Sequence, residues 1–330
     1  MTVEVSTRLL KADPDAIAAA GRCLAAGGLV AFPTETVYGL GADATDGKAV
    51  ARLYAAKGRP AFNPLISHLA DAAAAHALAR FNGEADRLAR AFWPGPLTLV
   101  LPKSADCPVS DLATAGLDTI ALRVPDHPVA HDILRAFGRP VVAPSANISG
   151  HVSPTDAAHV MADLQGRIDL VIDGGPAAVG IESTIVACLD QPVLLRPGGL
   201  AREAIEQVLG HSLRVFPDAQ NPSGGDTPLA PGMLNSHYAP RAAIRLNASD
   251  VREGEALLAF GPALKASAGG KAGMLNLSER GDLVEAAANL FSHLRALDSS
   301  GAKTIAVMPI PHRDLGEAIN DRLQRAAAPR

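Results

Sequence analysis

Cysteine is scarce. Cys23, Cys107 and Cys188 are the only three in 330 residues. They lie far apart with no C-x-x-C pair, which argues against a zinc site or a disulfide framework and fits a reducing compartment. Aromatic residues make up 4% of the chain, so the core must be packed from Val, Leu, Ile and Ala. No apolar run approaches the roughly 20 residues that span a bilayer. The N-terminus also lacks the basic-then-apolar pattern of a secretory leader. A soluble, cytoplasmic protein without membrane contact is expected. A basic surplus is missing too: the formal net charge is -4, whereas chains that grip nucleic-acid backbone usually carry a basic excess. A local basic patch remains open. No G-x-x-x-x-G-K-[ST] occurs, so any ATP site is not a P-loop.

The length suggests two domains, and a hydrophobic share of 48% with 19% charged residues is a globular composition. Residues 1–210 alternate between strand and helix patterns. Strands are expected at Gly28–Phe32, Leu97–Leu101, Thr119–Val124, Pro140–Ala143, Leu170–Asp173 and Thr184–Ala187. Helices are expected at Pro14–Ala26, Lys48–Ala56, Ala70–Ala79, Glu84–Phe92, Pro128–Phe137 and Thr155–Leu164. Pro14 and Pro128 suit first-turn positions. The alternation reads as α/β, and its irregular rhythm as a mixed sheet. Residues 211–240 are rich in Pro, Gly, Ser, Asn and Asp and read as a linker, long enough to expect a task of its own. A small α/β domain is expected at 241–330, with strands at Leu257–Phe260, Ala272–Leu275 and Thr304–Met308 and an amphipathic helix at Asp282–Leu297.

Several polar clusters interrupt apolar segments. In Ala31–Ala42, an extended Thr34-Glu35-Thr36 would place both threonines on one face and Glu35 on the other; a threonine-rich edge strand is the plainer reading. Lys57-Gly58-Arg59-Pro60 follows a helix and leads to Asn63-Pro64-Leu65 and His68. In an extended stretch Lys57 and Arg59 point the same way, a pairing suited to phosphate and carboxylate oxygens. The competing reading is a solvated basic pair at a helix C-terminus. Ser145 and Asn147 follow the strand ending at Ala143. In Asp118–Val124, Thr119, Ala121 and Arg123 share the face opposite Ile120, Leu122 and Val124. An arginine there needs a partner, either a structural carboxylate or a ligand's. Glu182-Ser183-Thr184 and Arg196-Pro197-Gly198-Gly199 mark two more strand ends. So many polar strand ends in one α/β domain point to a shared pocket. The G-x-G-x-x-A run at Gly39–Ala44 lacks the acidic strand end of a dinucleotide fold. His127 and His131, four apart, lack a third metal ligand.

These segments resemble the YrdC-like family. PTETVYGLG, KGRP with NPL and His68, FWPGPLT, TIALRVP, PSANISG, DGG, GIESTI and LLRPGG occur in the family's order across about residues 8–210. Leu229–Pro240 resembles the segment that follows the catalytic domain in the long, two-domain threonylcarbamoyl-AMP synthases. The resemblance implies a twisted open mixed sheet with helices, followed by a smaller Rossmann-like α/β domain. It implies that L-threonine, bicarbonate and ATP yield threonylcarbamoyl-adenylate and pyrophosphate. Other proteins then transfer the threonylcarbamoyl group to an adenosine beside the anticodon, so tRNA is met indirectly. Mg²⁺ is implied with ATP, and no organic cofactor. Carried over by motif, Thr34 or Thr36, His68, Arg123, Ser145 and Ser183 face threonine. Lys57, Arg59, Asn63, Thr119, Asn147, Ser153, Arg196 and Tyr238 face the nucleotide, with Lys57 and Arg59 catalytic and no protein ligand for the metal. The linker is expected to fold over the site through Met233, His237 and Tyr238. Two alternatives stand beside this: a carbamoyl-transfer enzyme of the same fold, against which the missing zinc-finger cysteines count, and a non-enzymatic RNA-binding module.

Overall fold

The computed structural model describes residues 5–216, 230, 238–262 and 273–329. In chain order the first region comprises β1 (Arg8–Lys11), α1 (Pro14–Ala25), β2 (Val30–Pro33), β3 (Tyr38–Asp43), α2 (Gly47–Lys57), β4 (Ile66–His68), α3 (Ala72–Leu78), α4 (Gly83–Phe92), β5 (Leu97–Pro102), β6 (Thr119–Arg123), α5 (Pro128–Phe137), β7 (Val141–Val142), α6 (Ala157–Leu164), β8 (Leu170–Asp173), β9 (Thr184–Cys188), β10 (Pro192–Arg196), α7 (Arg202–Leu209) and β11 (Arg214–Val215). The second comprises β12 (Ala243–Arg245), β13 (Glu255–Ala259), β14 (Met274–Asn276), α8 (Leu283–Ser299), β15 (Thr304–Val307) and α9 (Leu315–Ala327).

Helix starts follow local chemistry. Asp13 accepts from the amide of Ala16 at 2.8 Å with Pro14 in the first turn, and Asp156 accepts from the amide of His159 at 2.8 Å; such caps satisfy amides that the helix leaves unpaired. The expected α6 begins two residues later than Thr155, because Asp156 is the cap. The Gly39–Ala44 run lies in strand β3, not in a phosphate loop.

The large sheet has eleven strands in the order β1-β8-β2-β3-β7-β4-β6-β5-β9-β10-β11. It is mixed: β4 runs parallel to β6 but antiparallel to β7, and β5 runs parallel to β9 but antiparallel to β6. It takes in Arg214–Val215, past Gly210. One face is packed by α2, α3, α4, α6 and α7 through Leu53, Leu78, Leu88, Val160 and Ile205. On the other, α1 and α5 cover β2, β7 and β8 through Leu24, Ile133 and Phe32. Beyond them that face carries Ile66, Val100, Ala121, Ile185, Ala187, Val193 and Leu195. Ala230 of the linker packs on it, and among the described residues no helix contributes. Ile66 of this cluster also lines the cavity at which the polar strand ends collect.

The small sheet is parallel, in the order β12-β15-β13-β14. Its core, built on Leu258, Leu290, Phe291, Leu294 and Ile319, continues into Val37, Val152 and Ile181 of the large domain and takes in Tyr238. Among the described residues no helix is long and apolar enough to cross a membrane.

Candidate active site

Strand order brings together groups far apart in sequence. A cavity of about 50 Å³ is lined by Arg59, His68, Arg123, Ser145, Glu182, Ser183, Arg196 and Tyr238, with Val37, Ile66, Ala143 and Pro144 as its apolar wall. His68, Arg123 and Arg196 are the last residues of β4, β6 and β10, and Ser183 immediately precedes β9. Because β4 and β6 pair in parallel with His68 opposite Arg123, both side chains reach the same end of the sheet, where ligands of open α/β sheets gather.

Lys57 and Arg59 do not lie side by side on an extended loop. Lys57 is the last residue of α2, and Gly58 turns the chain in the left-handed region. Neither forms a solvated helix-end cluster: they are 1% and 8% exposed. Lys57 Nζ donates to the carbonyl oxygens of Ser145 and Asn147, both at 2.5 Å. Arg59 donates to the carbonyls of Asn63, at 3.4 Å, and Pro64, at 3.2 Å. These cations are thus held by carbonyls. Burial, then the neighbouring Arg59, holds the Lys57 ammonium well below its usual pKa, against a smaller pull from Asp163. Burial lowers Arg59 to about 10. Buried positive charge of this kind is relieved by an incoming anion.

Arg196 donates to the carbonyl of Ser183 from Nε at 3.2 Å and Nη2 at 2.9 Å, and Ser183 Oγ shares a 2.8 Å hydrogen bond with Thr98. Arg123 has the structural partner that its strand position required: Nη2 donates to Glu35 Oε1 at 2.6 Å and to Thr36 Oγ1 at 2.9 Å.

Thr34-Glu35-Thr36 is not extended; it is the bend between β2 and β3. Thr34 Oγ1 donates to the Val37 carbonyl at 2.7 Å and accepts from the amides of Thr36 and Val37, both at 3.2 Å. Thr34 therefore shapes the bend and Thr36 braces Arg123, while Glu35, expected to point away, carries the ion pair. The other oxygen of Glu35, Oε2, is buried and has no hydrogen-bond partner among the described residues.

Burial, reinforced by Arg123, pushes His68 down to about 3, so its ring is neutral. Nδ1 lies 3.2 Å from the Ile66 carbonyl oxygen, which puts the proton on Nδ1 and leaves Nε2 as an acceptor.

The remaining expected residues divide. Asn147 donates from Nδ2 to the carbonyls of Ile148 and His151, both at 2.9 Å, and its Oδ1, like Asn63 Oδ1, is buried with no partner among the described residues. Ser153 is fully buried behind the wall and donates to Glu182 Oε1 at 2.5 Å. Thr119 is not brought to the cavity: it starts β6, four residues from Arg123, at the other end of the strand. Tyr238 does line it, 1% exposed; Leu229, Met233 and His237 of the expected cover lie outside the described residues. Glu182 stands in a cluster that reads as a polar strand end without a role of its own, and the sequence singles out neither Arg322 nor Phe291. A signal existed for Arg322, a charge on the apolar stripe Leu315, Ala318, Ile319, Leu323, Ala326 of α9. Among the described residues no cluster of three or more His, Cys, Asp or Glu could hold a metal.

Known proteins resemble this chain over nearly its whole length. A family model described as "Telomere recombination" (Sua5, YciO, YrdC) matches residues 22–198, and "Threonylcarbamoyl-AMP synthase, C-terminal domain" matches 200–328. The threonylcarbamoyl-AMP synthase of Bacillus subtilis is 41% identical over 99% of this chain and 97% of its own. That of Pyrococcus abyssi is 44% identical over 91% of each. The crystal structure of P. abyssi Sua5 complexed with L-threonine superposes with a TM-score of 0.86, at 40% identity and 97% coverage of each chain. With both of its domains matched in order, the chain belongs to the two-domain Sua5 branch of the YrdC-like family.

Proposed function

We infer that this chain is a threonylcarbamoyl-AMP synthase, a nucleotidyltransferase that converts L-threonine, bicarbonate and ATP into threonylcarbamoyl-adenylate and pyrophosphate. Relatives of that name match it at 39–44% identity over most of its length. The observation that carries the reading is the set of buried cations: Arg59, Arg123 and Arg196 line one cavity, and Lys57 does not line it but donates to the carbonyl of Ser145 in its wall. A site built this way collects several anions at once, and the three substrates supply a carboxylate, a bicarbonate and a triphosphate.

The amino-acid half lies at Arg123. Its guanidinium, steadied by Glu35 and Thr36, meets the threonine carboxylate. His68 Nε2 accepts from the amine or hydroxyl, and Ser145 and Ser183 supply further hydroxyls. The threonine amine bonds to the bicarbonate carbon, one amine hydrogen leaves with the bicarbonate hydroxyl as water, and a carbamate results. A carbamate oxygen then attacks the α-phosphorus of ATP, and the bond to the β-phosphate oxygen breaks as pyrophosphate departs. No covalent nucleophile is needed; alignment and charge neutralisation suffice.

Lys57, Arg59 and Arg196 are assigned to the triphosphate, with Asn63, Asn147 and Tyr238 beside it. Ser153 acts through Glu182, and Thr119 is left without a role. Mg²⁺ arrives with the nucleotide. The residues suit that mode: Glu182, the carboxylate on the cavity wall, has Oε1 engaged by Ser153 and Oε2 by Arg322. The product is a mixed anhydride, an acyl donor that transfer proteins would consume in modifying tRNA.

The test is mass spectrometry of product after incubation with threonine, bicarbonate and MgATP. Threonylcarbamoyl-adenylate that disappears when any one substrate is omitted is expected. Pyrophosphate release without an amino acid would sink the mechanism.

A further inference from the structure

Arg322 is the largest fully buried side chain, yet it belongs to the last helix of the C-terminal domain and does not line the cavity. Its guanidinium reaches into the large domain. Nε donates to Glu182 Oε2 at 2.8 Å, Nη2 donates to the Pro197 carbonyl at 2.9 Å, and Nη1 donates to Asp321. The same group lies over the Tyr238 ring, 5.1 Å from its centroid. Tyr238 also stacks on Phe291 of α8, with ring centroids 5.6 Å apart and planes at 25°. One arginine thus touches the cavity's carboxylate and its aromatic wall together.

The setting is built for close docking. Gly180 of the large domain packs so near α8 that a Cβ there would lie 2.5 Å from the backbone of Ala287 and Ala288. Arg295 of α8 donates to the carbonyls of Val152 and Ser153 and pairs with Asp163 at 2.8 Å. Tyr238 has φ +63, a left-handed conformation unfavourable for a bulky residue, which persists only where its surroundings hold it.

A buried ion pair is a poor device for stability alone, because an apolar replacement of similar volume often does as well. Here it has a local use. An unneutralised Glu182 on the wall would repel an incoming polyphosphate. With Oε2 on Arg322 and Oε1 on Ser153, that carboxylate is tied down.

We propose that Arg322 is a positioning residue for the nucleotide half of the site: it fixes Tyr238 and neutralises Glu182 as one wall, which is complete only when the C-terminal domain is docked. This rests on the adenylate-forming reading above.

The test uses the full chain with Arg322→Lys, which keeps the charge but loses the planar fork and the stacking surface. The amide of Ala239, which donates to the Gly150 carbonyl at 2.8 Å, reports on the wall by hydrogen exchange. We expect that amide to exchange at least about tenfold faster and the KM for MgATP to rise at least about fivefold. The Kd for L-threonine should stay within about twofold. In a Tyr238→Ala background, Arg322→Lys should add less than about twofold to the ATP effect, because both act through one wall. Unchanged exchange and ATP KM, equal weakening of both substrates, or full additivity each overturns the proposal. If Arg322→Lys melts below the assay temperature, the charge-balanced E182Q/R322M variant carries the same measurements. Failure of the unaltered chain to make adenylate would sink the activity reading alone; Ala239 exchange would still decide whether Arg322 holds this wall.

Discussion

In the large sheet, β4, β6 and β10 end in His68, Arg123 and Arg196 around one cavity, with Lys57 and Arg59 buried beside them. In the small sheet, β12 ends in Arg245, which pairs at once with Glu255 of β13 and with Asp250. Both sheets carry charge at their strands. The small sheet neutralises it locally, near the surface. The large sheet buries it, and carbonyl oxygens accept from Lys57 and Arg59. Charge left uncompensated in the interior marks a ligand site, whereas charge paired on the spot marks a scaffold. The C-terminal domain accordingly contributes through what it inserts, Arg322 and Phe291.

The comparison breaks first at its cations. Lys57→Ala and Arg59→Ala should each lower pyrophosphate release by about 10²–10³ with the fold retained by circular dichroism. Arg245→Ala should leave turnover within about twofold. Near-normal rates in the first two, or a collapse in the third, would erase the distinction between the sheets.

Serine in place of threonine sharpens the role of the apolar wall. Val37, Ile66, Ala143 and Pro144 face the cavity, and one methyl in such a pocket is worth about 1–3 kcal/mol, or roughly 10- to 200-fold in kcat/KM. Equal kcat/KM for the two amino acids would remove threonine selectivity from these residues.

Glu35→Gln keeps a hydrogen-bond acceptor for Arg123 but removes its countercharge. A rise of about tenfold in threonine KM is expected, equivalent to about 1.4 kcal/mol, with ATP KM little changed. A shift confined to ATP would show that Arg123 serves the nucleotide.

A test on stability instead of turnover concerns His68. Its pKa falls from an ordinary 6.5 to about 3 on folding. Between those values the unfolded chain binds a proton that the folded one does not, so stability declines as pH drops from 6.5 toward 3. His68→Gln should flatten that part of a denaturant-midpoint profile. An unaltered slope would mean that His68 is already protonated in the fold.

Helix and strand positions were largely legible because their signals are local. Leu170–Asp173 and Pro128–Phe137 appear where the pattern put them, the second fixed by proline at its start and Gly138 at its end. Short strands were missed: Ile66–His68 has three residues, too few for an alternation to register. Candidate residues were legible as types and their relations were not. Lys57 sits at a helix end, where sequence favours a solvated lysine; the chain of Ser145–Asn147 folds over it and supplies two carbonyls. Thr34 and Thr36 looked like ligand groups because an extended run would align them. The hydrogen bonds of Thr34 to its own backbone instead made the bend that turns Glu35 toward Arg123. Thr119 shares its strand face with Arg123 but stands at the other end of the strand.

The sequence by itself determined the α/β architecture, the two domains joined by a Pro- and Gly-rich stretch, and a set of polar residues at strand ends. Periodicity, capping and turn chemistry act over a few residues and are written locally. Only the tertiary structure decided which of those ends meet. The order β3-β7-β4-β6-β5-β9-β10 is not the order of the chain, and it is set by nonlocal packing of both faces of the sheet. That packing made Lys57 a buried cation and gave Arg123 its glutamate. It also brought Arg322, 140 residues from Glu182 along the chain, against the carboxylate it neutralises, because two hydrophobic cores merge at Val37, Val152, Ile181 and Tyr238.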